Sequence, residues 1–214
     1  MITSSFGTFF WLMSAYVYFC YYKMQVSPFF DILFISVVIV FMYFINQQIM
    51  AKRCGVSSSV VMATLLPWLL IFLPFMGILH AFPEWKKPFS NTFGYLVVYF
   101  TSGVSILENL IKDKDKLTMI FQSPALLINQ FLPDTFEAVV QEKYTDQFDL
   151  TNLTKVSEFK DMLRMKDVIA TWIWYLLIAS ITTSTSYVML MNSPCTQTVD
   201  DYMMSYAKSQ IKNK

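Results

Sequence analysis

The chain has 214 residues, of which 55% are hydrophobic and 17% aromatic, while only 14% carry a charge. Soluble domains devote about 25% of their residues to charge, so this composition excludes an ordinary water-soluble protein. The net charge of +1 excludes nucleic-acid binding driven by overall charge, and three cysteines cannot build a disulfide framework. Lipid must therefore solvate part of this chain.

Charge is concentrated in one segment of the sequence. Residues 108–167 hold 19 of the 31 charged side chains, that is, of 16 Lys and Arg plus 15 Asp and Glu. Elsewhere short charged clusters separate uncharged stretches, and about 20 mainly apolar residues suffice for a helix to cross a bilayer. The pattern predicts an all-α, polytopic membrane protein with four or five spans and a small helical polar insert before the last span.

The predicted domain organisation follows from these stretches. A multi-span membrane region covers 1–107, the polar insert covers 108–167, a C-terminal transmembrane helix covers 168–191, and a polar tail covers 192–214. Within the first region we expect spans at about 6–22, 32–50 and 60–82, with 89–107 as a further candidate.

The stretch 89–107 allows two interpretations. Tyr95–Phe100 is strongly apolar, but Thr101, Ser102 and Ser105 make the second half of the stretch polar. Small polar residues pack helices against each other in lipid, so the stretch can be a fifth span. The alternative is a re-entrant or interfacial helix.

The distribution of Lys and Arg places the insert on the more basic, cytoplasmic side of the membrane. With five spans, Cys54 and Cys195 lie on opposite faces. If 89–107 does not cross, the insert shares its face with Lys86 and Lys87. A cytoplasmic insert leaves the single glycosylation sequon, at Asn152, unmodified.

The polar insert has the features of a small helical subdomain. Ser123 and Pro124 are typical of a helix start, and we expect the apolar run after them in the membrane interface or against a partner. A second helix opens near Pro133. No Pro or Gly interrupts the chain from about 155 to 191, which predicts one long helix there.

Apolar side chains recur at helical spacing along the insert. One interpretation makes them a docking surface for other capsid or complex subunits, and the alternative is a self-packed helical cap. The candidate docking residues are Phe136, Val139, Val140, Tyr144, Phe159, Met162 and Leu163.

No catalytic, metal or cofactor motif is present in the sequence, so we predict neither an enzyme nor a small-molecule site. A lone histidine at a membrane boundary, His80, is typical of an interfacial polar residue. The predicted spans hold no Asp, Glu, Lys or Arg, which disfavours ion transport. Pro67 and Pro74 are compatible with a bent helix or with the broken helix of a transporter.

The most distinctive stretch is the aromatic and basic turn at 82–95. Two prolines should hold the chain extended, Trp and Phe suit the headgroup layer, and the paired lysines can reach lipid phosphates. The candidate interface residues are Phe82, Pro83, Trp85, Lys86, Lys87, Pro88, Phe89 and Asn91.

This turn, the multi-span N-terminal half and a last span ending in Asn192-Ser193-Pro194-Cys195 resemble the membrane-embedded minor capsid proteins of algal chloroviruses. More broadly, they are similar to inner-membrane proteins of large DNA viruses. The resemblance covers about 60–107 and the last span, and it does not extend to the insert. It implies a structural protein that anchors an internal, endoplasmic-reticulum-derived virion membrane to the capsid, and it supplies no catalytic residues.

Two other functions fit the same sequence. A non-catalytic accessory subunit of a large complex in an organellar inner membrane would also be polytopic and rich in Phe and Met. A small transporter or channel is the second alternative, and a flux that depends on Pro67 or Pro74 would identify it.

Overall fold

The structure, a computed structural model, describes residues 7, 10–16, 28–54, 59–112, 123–195 and 203–204. This part of the chain is helical, and its only β-pairing is an isolated bridge between Ile111 and Phe148. The main helices are α1 Pro28–Cys54, α2 Ser59–Pro67, α3 Leu73–Ala81, α4 Lys87–Asn91, α5 Tyr95–Phe100, α6 Gly103–Glu108, α7 Pro124–Ile128, α8 Phe136–Lys143 and α9 Leu153–Asn192.

Three helices are long and apolar enough to cross a membrane: Ile32–Cys54, Ser59–Ala81 and Leu153–Asn192. They include the stretches predicted as spans at 32–50 and 168–191 and all but the last residue of that at 60–82, and they indicate membrane association. The predicted span at 6–22 lies largely outside the described residues, of which only 7 and 10–16 fall within it.

The second candidate is one helix with a local irregularity. Pro67 has no N–H to donate, and a π-helical turn, Trp68–Phe72, follows it and joins α2 to α3. The rings of Trp68 and Phe72 are buried there, with their centroids 4.7 Å apart. The helix therefore continues past the proline, as expected for a bent helix and not for a broken one.

The long C-terminal helix confirms the sequence-based prediction. Helix α9 has 40 residues, which corresponds to about 60 Å, or twice the hydrocarbon thickness of a bilayer. Its charged residues all precede Val168. Only the half from 168 onward is therefore suited to hydrocarbon.

The stretch 89–107 is not a continuous helix. Turns at Thr92–Gly94 and Thr101–Ser102 divide it into α4, α5 and α6, and Ser102 adopts a left-handed conformation with φ 54°. A six-residue helix reaches about 9 Å, too little to cross a membrane. The interpretation of this stretch as a fifth span is therefore wrong.

Contacts divide the chain into two compact units. We call the unit formed by Met1–Met13, Val26–Gly77 and Leu176–Lys214 the membrane unit, and that formed by Ser14–Gln25 and Ile78–Tyr175 the polar unit. The polar unit is larger than the predicted insert, because it includes the short helices of 89–107 and the aromatic turn before them.

Polar side chains join the three helices of the membrane unit. The Asn46 amide Nδ2 on α1 donates hydrogen bonds of 2.9 Å to Thr64 Oγ1 on α2 and to Ser186 Oγ on α9. At the end of α1, Arg53 Nη1 donates to the carbonyl oxygens of Leu190 and Met191, at 3.0 and 2.5 Å. These carbonyls lie in the last turn of α9, and that of Leu190 also accepts from the Ser193 N–H at 3.2 Å.

A disulfide joins Cys54, the last residue of α1, to Cys195, which follows α9, and their Cα atoms are 5.0 Å apart. The five-span expectation that these cysteines lie on opposite faces of the membrane is wrong. The expectation counted a crossing at 89–107, which made the number of crossings between the two cysteines odd.

The polar unit folds around an aromatic cluster. The rings of Phe131, Phe136, Phe148 and Phe159 are buried, and their centroids lie 4.9 to 6.2 Å apart, mostly edge to face. Ser123 Oγ caps α7 by accepting from the Leu126 N–H at 3.4 Å, as predicted. In the run after this cap, Leu127, Ile128 and Phe131 are part of the core, whereas Leu126 and Leu132 remain exposed.

Candidate functional site

The predicted interface turn folds into a 3₁₀ turn, Pro83–Lys86, followed by α4. Pro83 and Pro88 both occupy the first turn of a helix, where a missing N–H costs nothing. The prediction that these prolines hold the chain extended is therefore wrong. Phe82 and Trp85 stack with centroids 6.2 Å apart, and both remain about half exposed. The turn therefore offers aromatic rings to its surroundings.

Trp174 of α9 completes this aromatic group. Its ring lies 6.3 Å from that of Trp85 and 5.9 Å from that of Phe89. Trp174 is not among the predicted interface residues, although a tryptophan near the start of the apolar half of a helix is a common sign of the membrane boundary. Together the four rings form what we call the aromatic belt: Phe82, Trp85, Phe89 and Trp174.

Trp174 of the belt lies in the uncharged part of α9, which begins at Val168. Sixteen residues separate Trp174 from Leu190, which corresponds to about 24 Å of helix, most of the hydrocarbon thickness of a bilayer. All charged residues of α9 precede Trp174. Lys166, eight residues earlier, is about 12 Å away along the helix.

The two lysines of the turn are engaged with carboxylates. Lys86 Nζ contacts Asp167 Oδ2 at 2.5 Å, and Lys87 Nζ contacts Glu84 Oε1 at 2.7 Å. The Lys87 ammonium lowers the pKa of the Glu84 carboxyl, by hydrogen bond and by charge. The sequence-based expectation was that these lysines reach lipid phosphates. Asp167, the partner of Lys86, is 81 residues away in sequence and could not be identified as its neighbour from the sequence.

A cleft of about 420 Å³ opens beside these ion pairs. Residues of the turn at 83–91, the segment 129–134 and α9 form its walls. The buried cation in this wall is Lys166, whose residue is only 3% exposed. Its ammonium donates to Asn91 Oδ1 at 3.0 Å and to Asn129 Oδ1 at 2.7 Å.

Burial lowers the pKa of Lys166 from 10.5 to about 8, and the neighbouring Asp167 carboxylate opposes this shift. The two hydrogen-bond acceptors are neutral amides, and Asp167 is already paired with Lys86. The buried charge is thus compensated only in part.

This shift predicts a pH-dependent stability. The unfolded chain keeps the Lys166 proton up to about pH 10.5, whereas the folded protein releases it near pH 8. The free energy of unfolding should therefore rise between these pH values, by an amount on the order of 3 kcal/mol, and the destabilisation should be fully present below pH 8. Thermal unfolding of the detergent-solubilised chain from pH 7 to 10.5 measures this.

Lys166→Met is the matched control, because it removes the titrating group and keeps an apolar side chain of similar length. Subtracting its profile removes the titration of other groups. If the stability of the wild type and of Lys166→Met rose equally with pH, Lys166 would not be the group responsible.

The predicted docking residues of the insert form its core. Phe136, Val140, Phe159, Met162 and Leu163 are buried, and Val139 and Tyr144 pack against them half-buried. They cannot form a docking surface in the folded chain, because they already contact one another. The self-packed alternative describes them correctly.

Four exposed apolar residues of the polar unit lie on α5 or just before it. Tyr99 and Phe100 are 76% and 78% exposed, and Phe93 and Leu96 are about half exposed. Leu96, Tyr99 and Phe100 share one helix face by their spacing. We call these four residues the α5 ridge. Both sequence-based interpretations of this stretch placed it in or at the membrane, so it was not predicted as a surface that contacts protein.

Two glycines fix the position of the ridge within the polar unit. A Cβ on Gly94 would lie 2.7 Å from both the Cγ and the carbonyl oxygen of Lys166, and one on Gly103 would lie 3.2 Å from Met162 Sδ. The segment thus packs closely on α9 between residues 162 and 166. Three of the four ridge residues, Leu96, Tyr99 and Phe100, lie between these two glycines.

The described residues contain no group of three or more His, Cys, Asp or Glu that could hold a metal ion. His80 is exposed in the last turn of α3. Comparison of the chain with protein-family models, with curated proteins and with solved structures finds no match.

Proposed function

We propose that this protein is a structural membrane anchor that holds a lipid bilayer against a protein shell. The observation that carries this proposal is the continuous α9 helix. Its first half contributes Val156, Phe159 and Leu163 to the aromatic core, and its second half is apolar enough to cross a membrane. A force applied to the polar unit would therefore reach the bilayer through one helix, without a flexible linker.

The α5 ridge supplies the contact with the shell in this proposal. Its neighbours on α9, residues 162–166, precede Trp174 by about 12 to 18 Å of helix. The headgroup layer on each side of a bilayer is only about 5 to 7 Å thick. Lipid at the aromatic belt therefore does not reach the ridge. Exposed apolar patches of this kind mark protein–protein contacts, so we expect the ridge to bind a neighbouring protein.

The resemblance to minor capsid proteins supports a viral shell, with the protein in the internal virion membrane. In an organellar complex the same ridge would contact another subunit. Mass spectrometry of purified virus particles and of mitochondria distinguishes the two locations.

Substitution of the ridge tests the anchoring function. The double variant Tyr99→Ser, Phe100→Ser should fold and insert into membranes normally, because both side chains are exposed, yet it should be reduced at least tenfold in assembled particles. Leu153→Ser is the matched control, since Leu153 is equally exposed at 78% but lies at the start of α9. Normal incorporation of the double variant would refute the proposed contact.

A further inference from the structure

The disulfide carries information about membrane topology that the helices alone do not. Cys54 ends α1, and Cys195 lies three residues beyond the end of α9. Other contacts join the same helix ends: next to the disulfide, Arg53 donates hydrogen bonds to the last carbonyls of α9. Leu190 is also buried there in a cluster with Met50 and Val60. The ends of three helices therefore meet at one place.

Two cysteines can form a disulfide only if they lie on the same face of a membrane. The chain between Cys54 and Cys195 must then cross an even number of times. Two candidate spans lie between them, Ser59–Ala81 and the apolar half of α9. The count is even only if 89–107 does not cross, in agreement with its division into short helices.

Redox chemistry determines which face this is. Disulfides form and persist in oxidising compartments and are rare in the cytosol, where thiols are kept reduced. We propose that Cys54 and Cys195 mark the oxidising, lumenal face of the membrane, and that residues 82–167 face the reducing cytosol. The two thiols lose two electrons and two protons as the S–S bond forms, and a disulfide-carrying oxidoreductase of the lumen accepts them.

The distribution of basic residues agrees independently with this orientation. Of the 16 Lys and Arg, ten lie between residues 82 and 167, whereas two immediately precede Cys54 and three follow Cys195. Cytoplasmic segments carry the excess of positive charge in membrane proteins. This orientation also keeps the Asn152 sequon away from the lumen, where its modification would occur.

Thiol accessibility in sealed microsomes tests this topology. The full chain carrying Cys20→Ser should gain no polyethylene-glycol maleimide before reduction and two after reduction in detergent. The further variant Cys54→Ser should gain one in detergent without reduction, and none in intact microsomes. In a separate Cys20→Ser, Leu153→Cys chain, residue 153 should be labelled by a membrane-impermeant maleimide from outside intact microsomes.

Three results would overturn the proposal: labelling of both native cysteines without reduction, protection of Leu153→Cys in intact microsomes, or a glycan on Asn152. The test is independent of the anchoring function, because it measures orientation in microsomes that contain no particles. A failure of the ridge variant to alter incorporation would leave the topology unaffected.

Discussion

Phe159→Ala is expected to destabilise the polar unit by about 3 to 5 kcal/mol, the usual cost of removing a buried phenylalanine ring. Phe159 is fully buried, and its ring centroid lies 4.9 Å from that of Phe136 and 6.1 Å from that of Phe131. Because Phe159 is on α9, its loss also weakens the packing of the aromatic core on the helix that leads to the membrane. Thermal unfolding followed by near-ultraviolet circular dichroism in detergent measures the change.

Tyr99→Ala is the matched control for this substitution, since it removes an aromatic ring that is mostly exposed. Its effect should stay within about 0.5 kcal/mol. Membrane insertion should be unchanged in both variants, because neither residue lies in the apolar half of α9. Equal stability of Phe159→Ala and the wild type would mean that the cluster is not the core of this unit.

Gly94→Ala is expected to have the second largest effect, a loss of about 2 to 4 kcal/mol from strain in a well-packed interior. The added Cβ would lie 2.5 Å from the Ser90 carbonyl oxygen and 2.7 Å from that of Lys166. Both are backbone atoms, so a rotamer change cannot relieve the overlap. Limited proteolysis and thermal unfolding should both show loosening of the 89–107 segment.

The other glycines provide a graded comparison. Gly103→Ala should cost less, because its Cβ would lie 3.0 to 3.2 Å from Val98 and from the flexible Met162 side chain. Gly77→Ala, inside α3, meets nothing within 4 Å and should be neutral or stabilising. Any other order of the three variants would contradict the close packing of 89–107 on α9.

Local sequence signals predicted the elements that depend on local physics. The long α9 follows from the absence of Pro and Gly, and the start of α7 follows from Ser123 and Pro124. The apolar stretches within α1 and α2–α3 were also visible, because their length and lack of charge are sufficient to identify them.

The errors concern features that depend on distant partners. Phe93–Phe100 is as apolar as a span, and composition does not distinguish a segment that packs on a neighbouring helix from one that meets lipid. Lys86 pairs with Asp167, and Lys166 donates a hydrogen bond to Asn91. The residues that flank each lysine in the sequence do not indicate either partner. The relation of Cys54 to Cys195 was missed because it depends on the number of crossings.

The hydrogen bonds of Asn46 have a consequence for the azimuthal orientation of the membrane helices. A purely apolar bundle can tolerate rotation of its helices about their own axes, since any face is compatible with lipid. Here both amide protons of one side chain are committed, one to Thr64 and one to Ser186. Turning any of the three helices by a single residue, about 100°, would leave at least one of these groups facing hydrocarbon, so each helix has one rotational setting.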